Sequence, residues 1–433
     1  MAFVEKQAPA EAIAMPRLRR GNQESVPDLR ISDLRGPDLR GPDLCGMDAR
    51  AFERGRRAAR PRVAIVHEWL DSYGGSERVV EQLLRCFPEA DLFAVVDFLN
   101  TEERRFLGGR RVRTSFIQRL PFARRMFRRY LGLMPMAVEQ FDMTGYDLVI
   151  SSNHAVAKGV ITGPDQVHIS YVHSPMRYAW DMQHQYLDGD LGRGLQGLYA
   201  RWLFGRLREW DVASAHHVDH FIANSTYIAR RIHKVYRRPA TVIHPPVDVD
   251  RFAMTRDKED FYLLACRFVP YKRAEIVVGS FARQPGRRLV VIGGGPEEAR
   301  VRAAARGAHN IRFLGPVPQI ELIGFMQRAR AFVFAGEEDF GITFVEAQAC
   351  GTPVIAYGRG GAADIVVPQH APSPTGVLFE RQEPDALAAA VERFEALGPR
   401  ITAEACRANA TRFSADRFRA ELGAFVGTCR AWA

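Results

Sequence analysis

The stretch that most constrains this chain is the run from 332 to 361, FVFAGEEDFGITFVEAQACGTPVIAYGRGG. Residues 331–335 are a short apolar run with the length and composition of a buried parallel strand. Glu337, Glu338 and Asp339 follow, and Phe340-Gly341 reads as a turn. From Ile342 the apolar spacing becomes helical, with Phe344, Val345, Gln348 and Ala349 on one side, until Gly351-Thr352-Pro353 stops the helix. Residues 354–356 are the next strand, closed by Gly358 to Gly361. A strand, an acidic loop, a helix and a strand form a parallel α/β unit. The backbone N–H groups and dipole at that helix start favour an anion such as a diphosphate.

Two carboxylates frame the helix start: Glu338 just before it, and Glu346 eight residues later. With a diphosphate bound there, Glu338 would face whatever the diphosphate carries on one side. Glu346 could accept hydrogen bonds from ribose hydroxyls on the other. Two acids near a helix start also simply complement its dipole. Here, however, they come with Phe340-Gly341 and the tail EAQACGTPVIA, and the combination resembles the donor-site signature of retaining glycosyltransferases of family 4. The resemblance implies the GT-B fold: α/β, two Rossmann-like doubly wound domains facing a cleft, with a C-terminal helix crossing back.

At 433 residues the chain exceeds what one hydrophobic core usually supports. The expected division is a flexible tail over 1–60, a Rossmann-like acceptor domain over 61–247, a nucleotide-sugar donor domain over 248–412, and a helix over 413–433 returning to the first domain. The tail repeats Asp-Leu every five residues (PDLRISDLRGPDLRGPDLCG), a period resembling pentapeptide repeats but too short to bury a core. A flexible tail or a misassigned start codon accounts for it better. No apolar run is long enough to cross a bilayer, and the polar, Arg-rich N-terminus lacks a signal core. The six cysteines are scattered without C-x-x-C, which suits a reducing cytoplasm and excludes a disulfide framework.

The net charge of +10 is uneven. Between Thr101 and Tyr130 lie ten arginines and two acids, interleaved with Phe106, Phe116, Ile117, Leu120, Phe122, Met126 and Phe127. Such a segment can dock on anionic lipid head groups, bind RNA, or form an ordinary solvated face. No nucleic-acid motif accompanies it. The 104–129 region is therefore expected to meet an anionic membrane surface, placing the protein on the inner face of the cytoplasmic membrane.

The folded part begins near Arg62. Residues 63–66 read as a strand, His67 to Asp71 lead into Gly74-Gly75, and a helix follows with Ser76 as its expected N-cap. This is the start of a Rossmann unit without G-x-G-x-x-G, so neither nicotinamide nor flavin is expected. His67-Glu68 does not open H-E-x-x-H, because position 71 is Asp. Short strands follow near 91–96, 148–151, 168–172, 221–223 and 241–243. His216, His217 and His220 resemble a metal clamp but read as one surface helix face without a third ligand. Asp188-Gly189-Asp190 is literally D-x-D but sits in a Gly-rich loop.

His173 ends the strand at 168–172, where open α/β sheets bind ligands; a half-buried histidine satisfied by backbone is the alternative. Its context, HSPMRYAWD, resembles bacterial GDP-mannose-dependent mannosyltransferases of O-antigen and exopolysaccharide assembly. In the second domain Arg267 ends a strand and Lys272 follows five residues on, two cations able to clamp a diphosphate. The spacing resembles the family's donor-phosphate pair, although the usual glycine after the lysine is Arg273 here.

What the resemblance implies is therefore specific. The catalytic set would be His173, Glu338, Arg267 and Lys272. The donor would also meet Gly74, Gly75, Gly294, Val317, Phe340, Gly341, Ile342, Thr343 and Glu346. Arg177, Tyr178 and Asp181 would add acceptor contacts. The expected activity is transfer of a hexose, mannose from GDP-mannose, with retention, to a lipid-linked glycan, without metal or cofactor. The alternatives are the same class with another UDP- or GDP-hexose, or a non-catalytic nucleotide-sugar-binding scaffold.

Overall fold

A computed structural model describes residues 61–187 and 194–429. Two parallel sheets organise them. The first contains β1 (Val63–Leu70), β2 (Asp91–Asp97), β3 (Val112–Thr114), β4 (Leu148–Asn153), β5 (Val167–Val172), β6 (His220–Ala223) and β7 (Thr241–Val242), ordered β3-β2-β1-β4-β5-β6-β7. The second contains β8 (Tyr262–Ala265), β9 (Leu289–Ile292), β10 (Ile311–Gly315), β11 (Ala331–Phe334), β12 (Val354–Tyr357) and β13 (Gly376–Phe379), ordered β10-β9-β8-β11-β12-β13. Each order reverses beside its first strand, so each sheet has a switch point where a ligand crevice opens at the strands' C-terminal ends.

The strands are apolar on both faces because helices cover both. In β1, Ala64 and Val66 enter one core with Phe93 and Val149, whereas Val63 and Ile65 enter another with Val79 and Leu83. In the second lobe Leu263, Val291, Phe332 and Ile355 are buried in a single core. The helices that matter for the site are α1 (Gly75–Cys86), α2 (Gly194–Ala215), α3 (Thr226–Tyr236), α4 (Ala274–Ala282), α5 (Ile342–Ala349), α6 (Ala403–Thr411) and α7 (Ala415–Cys429).

The chain passes between the lobes twice, side by side. Val247 N–H donates to Phe413 O at 2.9 Å, and Val247 bridges Ser414. Beyond that point Phe418, Leu422 and Val426 of α7 are buried with the first lobe's Val79 and Leu83.

Three local expectations are corrected. Gly74, not Ser76, caps α1: the Glu77 carboxylate reaches back and accepts the Gly74 N–H at 2.9 Å, so the helix starts two residues earlier. His216 and His217 lie in the turn after α2 and His220 opens β6, so the three do not share a helix face. The Arg-rich segment contains β3, a three-residue edge strand too short to show alternation. Within that segment Ile117 and Phe127 are buried in the core, while Phe122 is 74% exposed. The repeat over 28–43, the rest of the 1–60 tail and Asp188-Gly189-Asp190 lie outside the described residues.

Candidate functional site

The second lobe's half of the site is built by close backbone packing. After β8 the chain runs against the loop after β9, where Phe268 N–H donates to Gly294 O at 2.9 Å. A Cβ on Gly293, at φ 132°, would lie 1.8 Å from the Cys266 carbonyl oxygen, so only glycine fits. This packing leaves Arg267 exposed at the C-terminal edge of the sheet. Val317 follows β10 and is partly buried against the core, in the loop whose Pro316 touches the space beside Gly294. A single turn over Pro270–Lys272 then leads into α4 through Arg273, which adopts φ 52° where a glycine would be unstrained.

Lys272 forms an ion pair with Glu338. Burial alone would lower the lysine pKa, but the adjacent carboxylate outweighs it and the pKa is raised. The acidic loop is held from behind: Gly361 N–H donates to Glu338 O at 2.8 Å, and Glu338 bridges Gly360. Gly341, at φ 100°, caps α5 and leaves the amides of Ile342 and Thr343 at the helix start. Lys272, Glu338 and the start of α5 are thus gathered at one sheet edge, with Arg267 at the end of the neighbouring strand β8.

The first lobe faces this edge directly. A Cβ on Gly75 would lie 3.0 Å from Ile342 Cδ1, so the Gly74-Gly75 loop abuts the start of α5. Arg78 of α1 donates to Glu346 Oε1 at 2.7 Å, and Glu346 is only 8% exposed. Asp339 receives Arg177 and, at 3.3 Å, Arg231 Nη1, both from the first lobe. Ser225 Oγ donates to Asp339 O at 2.5 Å, and Thr226 N–H to Asp364 Oδ2 at 2.7 Å. Beside the pairs that Asp339 makes with Arg177 and Arg231 lies a cleft of about 200 Å³, also lined by Asp181, Tyr227, Tyr271, Arg273 and Glu337.

His173 follows β5, and its Nε2 lies 2.9 Å from Ser152 Oγ. Burial, and then the neighbouring His154 and His67, push its pKa down to about 3, so the ring is neutral. Beside it His154 pairs with Glu68, which is fully buried and also accepts the backbone N–H groups of His154 and Val156 at 2.9 and 2.7 Å. Burial would raise the Glu68 pKa, but His154, His67 and those donors pull it down to about 2.

Two expected contacts are corrected. Tyr178 is half-buried against the first lobe's core, its ring 5.8 Å from Phe204, and its hydroxyl is buried and so not presented to an acceptor. The Phe340 ring is buried against His244 and Phe413, so this residue shapes the turn and presents no side chain to a donor. Arg177 and Asp181 do line the cleft, Arg177 bound to Asp339 and Asp181 to Arg231. Sequence reading missed Asp339, Arg231 and Arg78. Asp339 sits inside, and Arg78 close after, a stretch singled out in the sequence, but the partner that gives each of the three its meaning lies in the other lobe.

The two-lobed arrangement overlays on solved structures across most of the chain. HepE from Anabaena, in complex with UDP, aligns with a TM-score of 0.60 at 16% identity, covering 85% of this chain and 100% of that one. The lipopolysaccharide outer core galactosyltransferase WaaB, in its apo form, aligns with a TM-score of 0.59 at 17% identity, covering 85% and 99%. The chain has the GT-B fold. Its two lobes also match two family models separately: residues 73–251 match Glycosyltransferase Family 4 and residues 248–413 match Glycosyl transferases group 1. The boundary between these GT-B matches falls where the structure first crosses between lobes, at Val247.

Among curated relatives, the GT-B chain is 31% identical over 199 residues to a GDP-mannose-dependent monoacylated alpha-(1-6)-phosphatidylinositol monomannoside mannosyltransferase of Corynebacterium glutamicum, covering 39% of this chain and 51% of that protein. It is 31% identical over 224 residues to a D-inositol 3-phosphate glycosyltransferase of Jonesia denitrificans, covering 44% and 51%. The chain spans about half the length of the curated relatives it matches.

Proposed function

We propose that this protein is a retaining glycosyltransferase that takes a hexose from a nucleotide sugar, mannose from GDP-mannose. The observation that carries the reading is the meeting of Lys272, Glu338 and the α5 start on one lobe with the Gly74-Gly75 loop on the other. A sugar diphosphate laid across that meeting point has fixed positive groups where charge develops on its departing end. Lys272, Arg267 and the amides at Ile342 and Thr343 stabilise that charge without rearranging. In the front-face route the acceptor oxygen bonds to the anomeric carbon as the bond to the diphosphate oxygen breaks. The acceptor proton passes to the departing diphosphate. Glu338 holds sugar hydroxyls, Glu346 holds the ribose, and His173 positions the sugar.

These cations take the place a metal would occupy, so we expect metal-independent turnover. Among the described residues no group of three or more His, Cys, Asp or Glu side chains is placed to hold a metal ion. The mannose assignment is supported by the HSPMRYAWD string and by the GDP-mannose dependence of the Corynebacterium relative. The Anabaena structure was solved with UDP, so base choice is the point to test first. Thermal shift against GDP and UDP separates them, because selective binding stabilises the folded state. A shift with UDP alone overturns the GDP-mannose assignment. Failure of any sugar nucleotide to be hydrolysed or transferred overturns the enzyme reading in favour of a binding scaffold.

The acceptor we propose is a lipid-linked glycan reached at an anionic membrane surface. Phe122 is 74% exposed and stands among the exposed Arg124, Arg125 and Arg129. On α2, Leu195, Leu198 and Trp202 are 84%, 64% and 60% exposed. The helix carrying the second patch packs on the segment that follows the first, since a Cβ on Gly132 would lie 3.3 Å from Leu203 and 3.5 Å from the Tyr199 hydroxyl. Apolar side chains among arginines suit insertion between anionic head groups. Co-sedimentation with anionic vesicles, unchanged by Phe122→Ser combined with Trp202→Ser, would refute this surface.

A further inference from the structure

A chain of four polar side chains crosses the first lobe from α1 to the C-terminal end of β5. Glu77 Oε1 lies 3.3 Å from His67 Nε2, His67 Nδ1 lies 3.1 Å from Ser152 Oγ, and Ser152 Oγ lies 2.9 Å from His173 Nε2. The sheet sets this alignment. His67 and Ser152 are paired across β1 and β4, and His173 N–H donates to Asn153 O at 2.8 Å. His67 and Ser152 are fully buried and Glu77 is 5% exposed, so no solvent competes along the line.

The protons can be assigned link by link from what each group is able to donate. An ionised carboxylate only accepts, so His67 carries its proton on Nε2. On a neutral His67, Nδ1 then holds a lone pair, and the Ser152 hydroxyl must donate to it. That spends the only Ser152 proton, so Ser152 Oγ must accept from His173 Nε2. His173 is left with a bare Nδ1. The pKa of Glu77 is lowered in spite of burial, by the hydrogen bond from His67 and by backbone donors including Gly74, which keeps the first link ionised.

We propose that Glu77, His67 and Ser152 are positioning residues that hold His173 as the Nε2–H tautomer, so that its Nδ1 accepts a hydroxyl of the transferred sugar. The sugar contact rests on the glycosyltransferase reading above; the tautomer does not. A lone pair at that point favours a hydroxyl and repels a carboxylate, so a neutral hexose is preferred to a hexuronate wherever the ring meets His173. Glu77 links this preference to the Gly74-Gly75 loop, because its other oxygen, Oε2, accepts the Gly74 N–H and the Ser76 hydroxyl at 2.9 and 3.0 Å.

Nitrogen-15 NMR of the full-length, histidine-labelled protein at neutral pH reads the tautomer directly, with His173 assigned by its loss in His173→Gln. The expected spectrum has His173 protonated at Nε2 and bare at Nδ1. Protonation at Nδ1, the polarity a doubly protonated His67 would impose, overturns the proposal. Ser152→Ala should lower kcat about tenfold, with nucleoside diphosphate affinity within about twofold. The same substitution should have no further effect in a His173→Ala background. An equal drop in both backgrounds means a merely structural serine and overturns the positioning role. If the tautomer is as expected and no sugar nucleotide is turned over, the glycosyltransferase reading fails and the relay stands.

Discussion

Replacing Lys272 by alanine tests the proposed donor-phosphate site most directly. The lysine reaches the cleft from a single turn between β8 and α4, and its ammonium group is paired with Glu338. Its side chain is 20% exposed, so water screens it only in part. A fixed cation aimed at a developing oxyanion in such a site contributes roughly 3–4 kcal/mol to the transition state, so Lys272→Ala should lower kcat about 10²- to 10³-fold. The folded state loses less: one partly buried charged hydrogen bond is worth about 1.5–3 kcal/mol, and the Glu338 backbone remains held by Gly361. Release of nucleoside diphosphate, measured well below the melting transition, separates the two effects. Lys272→Arg keeps the charge and should recover part of the rate. Turnover of Lys272→Ala within about threefold of the unsubstituted protein would refute the clamp and with it the proposed leaving-group chemistry.

Three other outcomes are expected. Asp339→Asn removes the charge shared by Arg177 and Arg231 across the cleft, and two weakened charged hydrogen bonds should favour the open arrangement by about 1–3 kcal/mol; an unchanged radius of gyration in small-angle scattering would contradict this. Asp211→Asn strips the fully buried Lys158 of its carboxylate, 2.7 Å away, and weakens the Trp180 Nε1 and Tyr236 hydroxyl bonds; denaturant melts should lose about 3–5 kcal/mol. Burial pushes the His168 pKa down to about 4, and its two ring nitrogens are engaged by Ser151 Oγ at 2.9 Å and the His217 carbonyl at 3.2 Å. The folded state then holds fewer protons than the unfolded chain, so this contribution is full above about pH 6.5 and is lost as pH falls towards about 4, at about 1.4 kcal/mol per pH unit. His168→Gln should flatten that acid limb, and an unaltered slope would show that the ring does not titrate on unfolding.

Much of the fold was legible because the features that specify it are local. The apolar runs at 63–66 and 354–356, the helix from Ile342 and the stop at Gly351-Thr352-Pro353 are each set by neighbours within a few residues. The structure has strands and a helix at those positions. Repetition of strand and helix then implied two doubly wound sheets. The short edge strand β3 escaped because three residues cannot display a period, and the His216–His220 spacing misled because a helix end intervenes.

What a side chain faces is a different kind of information. Sequence marked Tyr178 and Phe340 as site residues, but folding packs the Tyr178 ring against the first lobe's core and buries the Phe340 ring in the second lobe's. Conversely, Asp339, Arg231 and Arg78 looked like ordinary surface charges until the second lobe supplied their partners. Arg78 and Glu346 are 268 residues apart, and nothing local foretells that they meet. Patterns of apolar and polar residues determine which elements form. Only the docking of two separately folded sheets decides which charges are desolvated together, and that decision creates the cleft.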